Sequence, residues 1–315
     1  MKRNKLNAPD VKIQGDSIIQ VTRMGLTTEI QFMSFRNTEP RIKKISEQEY
    51  VVLKTGEIKS FEKKSNTRNE SICSLRKTIK HIREVVTTNI TDPRKVRWVT
   101  LTYHENVRDI KKLYDDFRKF NQRFCYYLKK NEIEKPEYIS VAEPQLRGAW
   151  HLHVLYIWKN HTAPFIKNSE LSQIWGHGFT TIKALDKKNP DVASYLCTYL
   201  QDLAIDEEIS QLIPEALQTV KEIPDSHGKK KRIAKGMRMH LYPAKMNILR
   251  HSKGIKQPEK FETTYKEALN LVRGQTLKYE TAYQLFNEEG FSFVVKKQEF
   301  KKNPAIYQNK ENKIK

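Results

Sequence analysis

Apolar positions recur with a regular period mainly in the middle of the chain. Val96–Tyr103 is dense in β-branched and aromatic side chains and predicts a buried strand. Asn106 is a candidate cap for a long helix through Lys130, with Ile110, Leu113, Phe117, Phe120, Phe124 and Leu128 as its apolar stripe. Lys135-Pro136 ends that helix. Glu137–Glu143 and Trp150–Trp158 predict two strands paired antiparallel across an Arg147-Gly148 turn. Ser169–Trp175 predicts a short helix and Gly178–Leu185 a fourth strand. Asn189-Pro190-Asp191 starts a further helix running to about Leu203, and Pro190 suits a first helical position.

The order β-α-β-β-α-β predicts an α+β fold: the split βαβ, ferredoxin-like antiparallel sheet, with helices on one face. This domain is expected over residues 96–204. Residues 1–95 form an N-terminal extension, polar and broken up to about residue 65, with short β-like runs at Ser17–Thr22 and Tyr50–Leu53. Glu70–Val86 then predicts a basic amphipathic helix, with Ile72, Leu75, Ile79 and Ile82 at helical spacing and Arg76, Lys77, Lys80 and Arg83 around them. Residues 205–300 form a basic C-terminal region. It opens on an acidic patch (Asp206, Glu207, Glu208) and a loop carrying Lys229, Lys230, Lys231 and Arg232, followed by Lys235 and Arg238. Helical and β-like pieces recur at Thr264–Val272 and Phe291–Val295, and residues 301–315 are expected to be a mobile Lys-rich tail.

Charge narrows the choice of partner. Lys and Arg number 58 against 37 Asp and Glu, a formal net charge of +21 over 315 residues. That excess favours a polyanion, either nucleic acid or an anionic membrane surface. No apolar run is long enough for a membrane span, and no apolar stretch follows the basic Met1–Asn7 as in a signal peptide. Cys73, Cys125 and Cys197 are scattered, which argues against a disulfide framework and a Cys-based zinc site. A reducing, cytoplasmic setting is expected.

His151 and His153 are two apart on a predicted strand, so both imidazoles point to one face. Alone, such a pair is compatible with ordinary strand packing. Glu143 ends the preceding strand, and the hairpin brings its carboxylate beside both rings. Two imidazoles and one carboxylate make a mixed site for Mg²⁺ or Mn²⁺, with positions left for a substrate oxygen. Tyr195 and Tyr199 are four apart and share a helix face. Either can pack that helix on the sheet, or attack a phosphodiester to leave a covalent phosphotyrosine.

These residues together resemble the HUH endonuclease superfamily, and within it the rolling-circle replication initiators of plasmids and phages. Val99-Thr100-Leu101-Thr102-Tyr103 resembles the first motif, a strand partly concerned with DNA. Glu143 and His151-Leu152-His153-Val154 resemble the second, and Tyr195 with Tyr199 the two-tyrosine form of the third. The resemblance spans about Arg97 to Leu203. It implies a metal-dependent enzyme that nicks and rejoins single-stranded or hairpin origin DNA. Glu143, His151 and His153 would hold the metal, and Tyr195 and Tyr199 would be the nucleophiles. Thr100 and Thr102, with Lys229, Lys230, Lys231 and Arg232, are the DNA-binding candidates. A host helicase and polymerase are implied as partners, since no G-x-x-x-x-G-K-[ST] loop is present. One departure stands out. The family usually carries Lys three residues after the first tyrosine and often after the second, where this chain has Thr198 and Asp202. A nearby Lys or Arg in its place, or a weakened activity, would follow. A transposase or relaxase of the same superfamily, and a non-catalytic nucleic-acid-binding protein on this fold, are the competing readings.

Overall fold

The computed structural model describes residues 2–36, 41–46, 48–61, 72–185, 191–205, 220–224, 230–234, 236–243, 246–287 and 290–303. Expectations for Asn189, Pro190, the acidic patch at 206–208, Lys229, Lys235 and most of the tail fall outside these residues. In chain order the strands are β1 (Lys2–Leu6), β2 (Ile18–Met24), β3 (Thr27–Met33), β4 (Ile42–Lys44), β5 (Glu49–Val52) and β6 (Ile58–Ser60). Helix α1 (Ile72–Asn89), β7 (Val96–Thr102), α2 (Ile110–Lys130), β8 (Glu137–Pro144), β9 (Trp150–Ile157), α3 (Asn168–Trp175), β10 (Thr180–Ala184) and α4 (Val192–Gln201) follow. The remainder is β11 (Leu203–Ile205), β12 (Val220–Pro224), β13 (Lys230–Ala234), β14 (Leu249–His251), β15 (Glu259–Thr264), α5 (Tyr265–Leu271), β16 (Thr276–Phe286) and β17 (Ser292–Lys301). The fold is α+β, and its strand pairs are antiparallel.

Two compact units divide the chain: residues 1–64 with 258–315, and residues 65–257. In the first, strands from both ends of the sequence build one sheet in the order β1-β16-β17-β3-β2-β15. Helix α5 covers it, with Ala268 and the flanking Val272 packed on Ile19, Val21, Ile30 and Phe300. A capping box starts α5, with Thr264 and Glu267 each serving the other's backbone N–H. Strands β16 and β17 are far longer than the β-like piece at Phe291–Val295 suggests. They carry Lys, Gln and Glu in place of apolar residues, so their period-2 signal is weak. Lys296 is buried there, with Nζ 2.9 Å from both Glu280 Oε1 and the Val11 carbonyl.

The second unit is built on a five-stranded sheet in the order β10-β7-β9-β8-β14. Strand β9 lies between β7 and β8 and runs antiparallel to both, so β7 and β8, joined through α2, run the same way. One face carries Tyr138 and Tyr156 against α2, where Phe117 and Phe124 meet them at 5.2 and 4.9 Å between ring centroids. Phe120 of α2 meets Trp175 of α3 at 5.6 Å. Helix α4 lies on the opposite face, with Tyr195 5.4 Å from Trp98, and α1 packs beside α4 where Cys197 Sγ reaches the Ile79 carbonyl. Helices therefore cover both faces, not one as the sequence pattern suggests. The reason is visible in β7, whose Val96, Trp98, Val99 and Leu101 are all buried. A strand apolar on both sides needs a layer on each.

Three local expectations also change. The α2 cap is Asp109, whose carboxylate accepts from Lys111 N at 2.8 Å, while Asn106 donates to the Arg147 carbonyl. Helix α4 stops at Gln201, and Leu203 starts β11. Residues 230–234 form a strand rather than a loop, in a small sheet ordered β11-β13-β12. Backbone pairing with Leu203–Ile205 and with Val220–Pro224 sets that strand, which lysine-rich alternation did not signal. Among the described residues, no helix is long and apolar enough to cross a membrane.

Candidate active site

Strand register assembles the site. Thr102 pairs with His151 and Thr100 with His153 across β7 and β9, and Glu143 pairs with His151 across β8 and β9. With a period of two, Trp98, Thr100, Thr102, His151, His153 and Glu143 share one face of the sheet. Helix α4 is laid over that face. Asp191 caps it through Ser194 N at 2.9 Å, and its apolar residues Leu196, Cys197 and Leu200 are buried. That orientation leaves Tyr195 and Tyr199 on the rim, 42% and 38% exposed, with their hydroxyls 3.0 Å apart. The Tyr199 ring is 5.8 Å from His153 and 6.1 Å from Trp98.

Glu143 and His153 are nearly closed to solvent, at 4% and 5% exposure. One Glu143 oxygen, Oε2, contacts His153 Nε2 and lies 3.9 Å from His151 Nδ1. The other, Oε1, takes Arg238 Nη1 at 2.6 Å. Burial alone would raise the Glu143 carboxyl, but the hydrogen bond from His153 and the charge of Arg238 outweigh it and hold the pKa below the usual value. His151 goes the other way for an imidazole: burial pushes its pKa down to about 4 against the pull of Glu143. It is a neutral ring at neutral pH, and its Nε2 is buried without a hydrogen-bond partner. Trp98 Nε1 sits 3.3 Å from His153 Nδ1. An indole N–H only donates, so Nδ1 accepts and the ring proton rests on Nε2, facing Glu143. Thr100 Oγ1 is 3.1 Å from the same Nδ1. The Tyr199 hydroxyl is pushed above its ordinary pKa, first by burial and then by its hydrogen bond to Tyr195.

A cavity of about 170 Å³ opens beside the tyrosines, walled by Trp98, Thr100, His153, Lys183 and Leu185. Glu143, His151, His153, Tyr195, Tyr199, Thr100 and Thr102, all singled out in the sequence, thus share one face and the helix above it. In this arrangement Glu143 is engaged by His153 and Arg238, and no group of three His, Cys, Asp or Glu stands in cation-holding geometry among the described residues. Lys230, Lys231 and Arg232 lie along β13, which pairs with the strand that follows the tyrosine helix. Thr198 is exposed and bonds back to the Ser194 carbonyl at 3.0 Å, while Asp202 accepts from Gly236 N. His104 stacks on Phe179.

Two site residues escape sequence reasoning. Trp98 reads as strand core, and only the β7–β9 register, which pairs it with Leu155, sets its indole diagonally beside His153. Arg238 reads as one more charge in a basic run. Its only local signal is Gly236, whose left-handed φ of 76° turns the chain into the short 3₁₀ turn that carries Arg238.

The match to known proteins covers the same segment. Residues 96–204, from the first residue of β7 into β11, match a family described as Replication-associated protein, of the ORF2 kind. No curated protein and no solved structure matches the chain. Over its tyrosine- and histidine-bearing sheet, then, this chain is similar to replication-associated proteins.

Proposed function

We propose that this protein is a replication initiator of the HUH type, which nicks and rejoins single-stranded or hairpin origin DNA through a phosphotyrosine and so starts rolling-circle replication. The β10-β7-β9-β8 order is read here as the split βαβ sheet of that superfamily. One observation carries the proposal: two partly exposed tyrosines, their hydroxyls 3.0 Å apart, stand over the buried Glu143 and His153 and the half-buried His151. A packing role alone gives no reason for the buried carboxylate and imidazoles beneath them.

The donor set suits Mg²⁺ or Mn²⁺, being two imidazoles and one carboxylate on adjacent strands. The partnerless His151 Nε2 and the equally partnerless, fully buried Tyr242 hydroxyl nearby also fit a group bound there. When bound, such an ion withdraws charge from the phosphoryl oxygens. Glu143, His151 and His153 would hold it. For His153 Nε2 to become a donor atom, its proton moves to Nδ1, where Thr100 Oγ1 is placed to accept the hydrogen bond and the Trp98 indole N–H gives up its own.

The remaining chemistry belongs to the tyrosines. Tyr195, the more exposed, attacks phosphorus and gives up its hydroxyl proton to water; the P–O3′ bond breaks as the O–P bond forms, and the leaving oxygen takes up a proton as a free 3′-OH. The 5′ phosphate stays on the phenol oxygen, so the number of phosphodiester bonds is conserved and the strand can be rejoined. Tyr199, within hydrogen-bond reach, is placed for the second transfer. The 3′-OH primes synthesis by a host polymerase, with a host helicase unwinding ahead.

A denaturing gel tests the reading. With single-stranded origin DNA and Mn²⁺, a covalent protein–DNA adduct is expected. It should vanish in the Tyr195→Phe/Tyr199→Phe double variant and fall at least about a hundredfold in His151→Ala, the scale of a lost catalytic contribution. An adduct indifferent to all three substitutions would refute the mechanism. Tight DNA binding with no adduct on any cognate strand would instead favour a non-catalytic binding protein.

A further inference from the structure

We propose that Arg238 is a built-in counter-ion of Glu143 that makes cation binding at this site depend on DNA. The inference rests on the metal-dependent reading above and extends it.

Arg238 is not a passing surface charge. Its Nη1 donates to Glu143 Oε1 at 2.6 Å and to the Pro144 carbonyl at 2.9 Å, and its Nε donates to the Asp202 carbonyl at 3.1 Å. These partners sit at the end of β8 and the end of α4, so one guanidinium ties the carboxylate strand to the tyrosine helix. The turn before it is held too, since Gly236 N donates to Asp202 Oδ1 at 3.0 Å. A guanidinium does not lose its proton in a protein, so this positive charge is permanent.

Charge counting gives the consequence. Glu143 contributes one negative charge and Arg238 one positive. Imidazoles acting as ligands are neutral. Glu143, the two imidazoles and Arg238 therefore sum to zero. A divalent cation entering alone would leave two uncompensated positive charges beside groups that are almost fully buried, which is costly. A phosphodiester arriving on the open side, where the tyrosines stand, supplies one negative charge and halves that excess. Cation and DNA then each raise the affinity for the other by the same factor. A free ion in solution binds the resting protein weakly, and the nucleophiles meet a loaded site mainly with a strand in place.

Manganese titration followed by electron paramagnetic resonance tests this on the full chain. The probes are Mn²⁺ alone and Mn²⁺ with a mixed-sequence single-stranded oligonucleotide. Wild type should bind Mn²⁺ about tenfold more tightly with the oligonucleotide present. Arg238→Gln should bind Mn²⁺ without DNA about tenfold more tightly than wild type, and gain little further from the oligonucleotide. Arg238→Lys, which keeps the charge, should behave as wild type, and it guards against a folding defect in the glutamine variant. Weaker or unchanged Mn²⁺ binding by Arg238→Gln, with wild type binding the ion, would overturn the inference alone: Arg238 would then only orient Glu143. No Mn²⁺ binding by wild type in either condition would overturn the metal reading and this inference together.

Discussion

At the scale of single residues, burial decides what the chemistry-bearing side chains can do. His151 and His153 have the same sequence environment, alternate positions of one strand, yet they are held differently. His153 is bracketed by Trp98, Thr100 and Glu143, whereas His151 keeps a buried nitrogen without a partner. The depressed pKa of His151 has a measurable consequence. Its folded value is about 4, below the unfolded value near 6.5. The unfolded chain therefore takes up the proton first. The stabilisation is complete above about pH 6.5 and is lost as pH falls towards 4, by at most about 3 kcal/mol. Melting temperature measured over that window should drop less steeply in His151→Gln than in wild type; equal slopes would mean that His151 titrates alike in both states. That the two rings share a face was legible in the spacing. The tryptophan and arginine that control them were not, because Trp98 and Arg238 lie 55 and 85 positions from His153 and only folding makes them neighbours.

Elements carry the site as rigid parts, and their ends are where they are most easily disturbed. Helix α4 holds both tyrosines and depends on the Asp191 cap. Asp191→Ala should cost about 1 kcal/mol, read from a chemical-denaturation midpoint, and lower the adduct yield without abolishing it. Strand β7 is constrained at its far end by the loop before β10. Gly178 there has φ near +149°, and a Cβ on it would stand 2.4 Å from His104 N and 2.5 Å from the Thr102 carbonyl. Gly178→Ala should therefore destabilise the unit by about 2 kcal/mol or more. A midpoint unchanged from wild type would show that the loop can move away freely. The long α2, β7, β8, β9 and α4 were readable because each has an apolar face in the period of its own geometry. Strands β13 and β16 and the second half of β17 were not: beyond the β-like Phe291–Val295, their lysines and glutamines are held by backbone pairing, β16 with β17 and β1, and β17 with β3.

For the molecule as a whole, the net charge of +21 makes an electrostatic share in nucleic-acid binding testable. Affinity for single-stranded DNA, measured by fluorescence anisotropy, should fall log-linearly with salt, by about 0.7 log units per log unit of salt for each phosphate contacted. A total slope below about 1 would leave room for barely one contact and would remove the basic surface from the DNA-binding reading. The sequence by itself determined the α+β class, the element order from residue 96 to 204, and which histidines share a strand face and which tyrosines a helix face. Each of these is local: a period, a cap, or a spacing along one strand or helix. Tertiary structure decided the rest. It joined the two termini into one sheet, put helices on both faces of the other, and brought Arg238 onto Glu143. Those outcomes depend on which distant strands pair and which buried charge finds a partner. The histidine pair, by contrast, needed only the alternation of one strand to point both rings the same way.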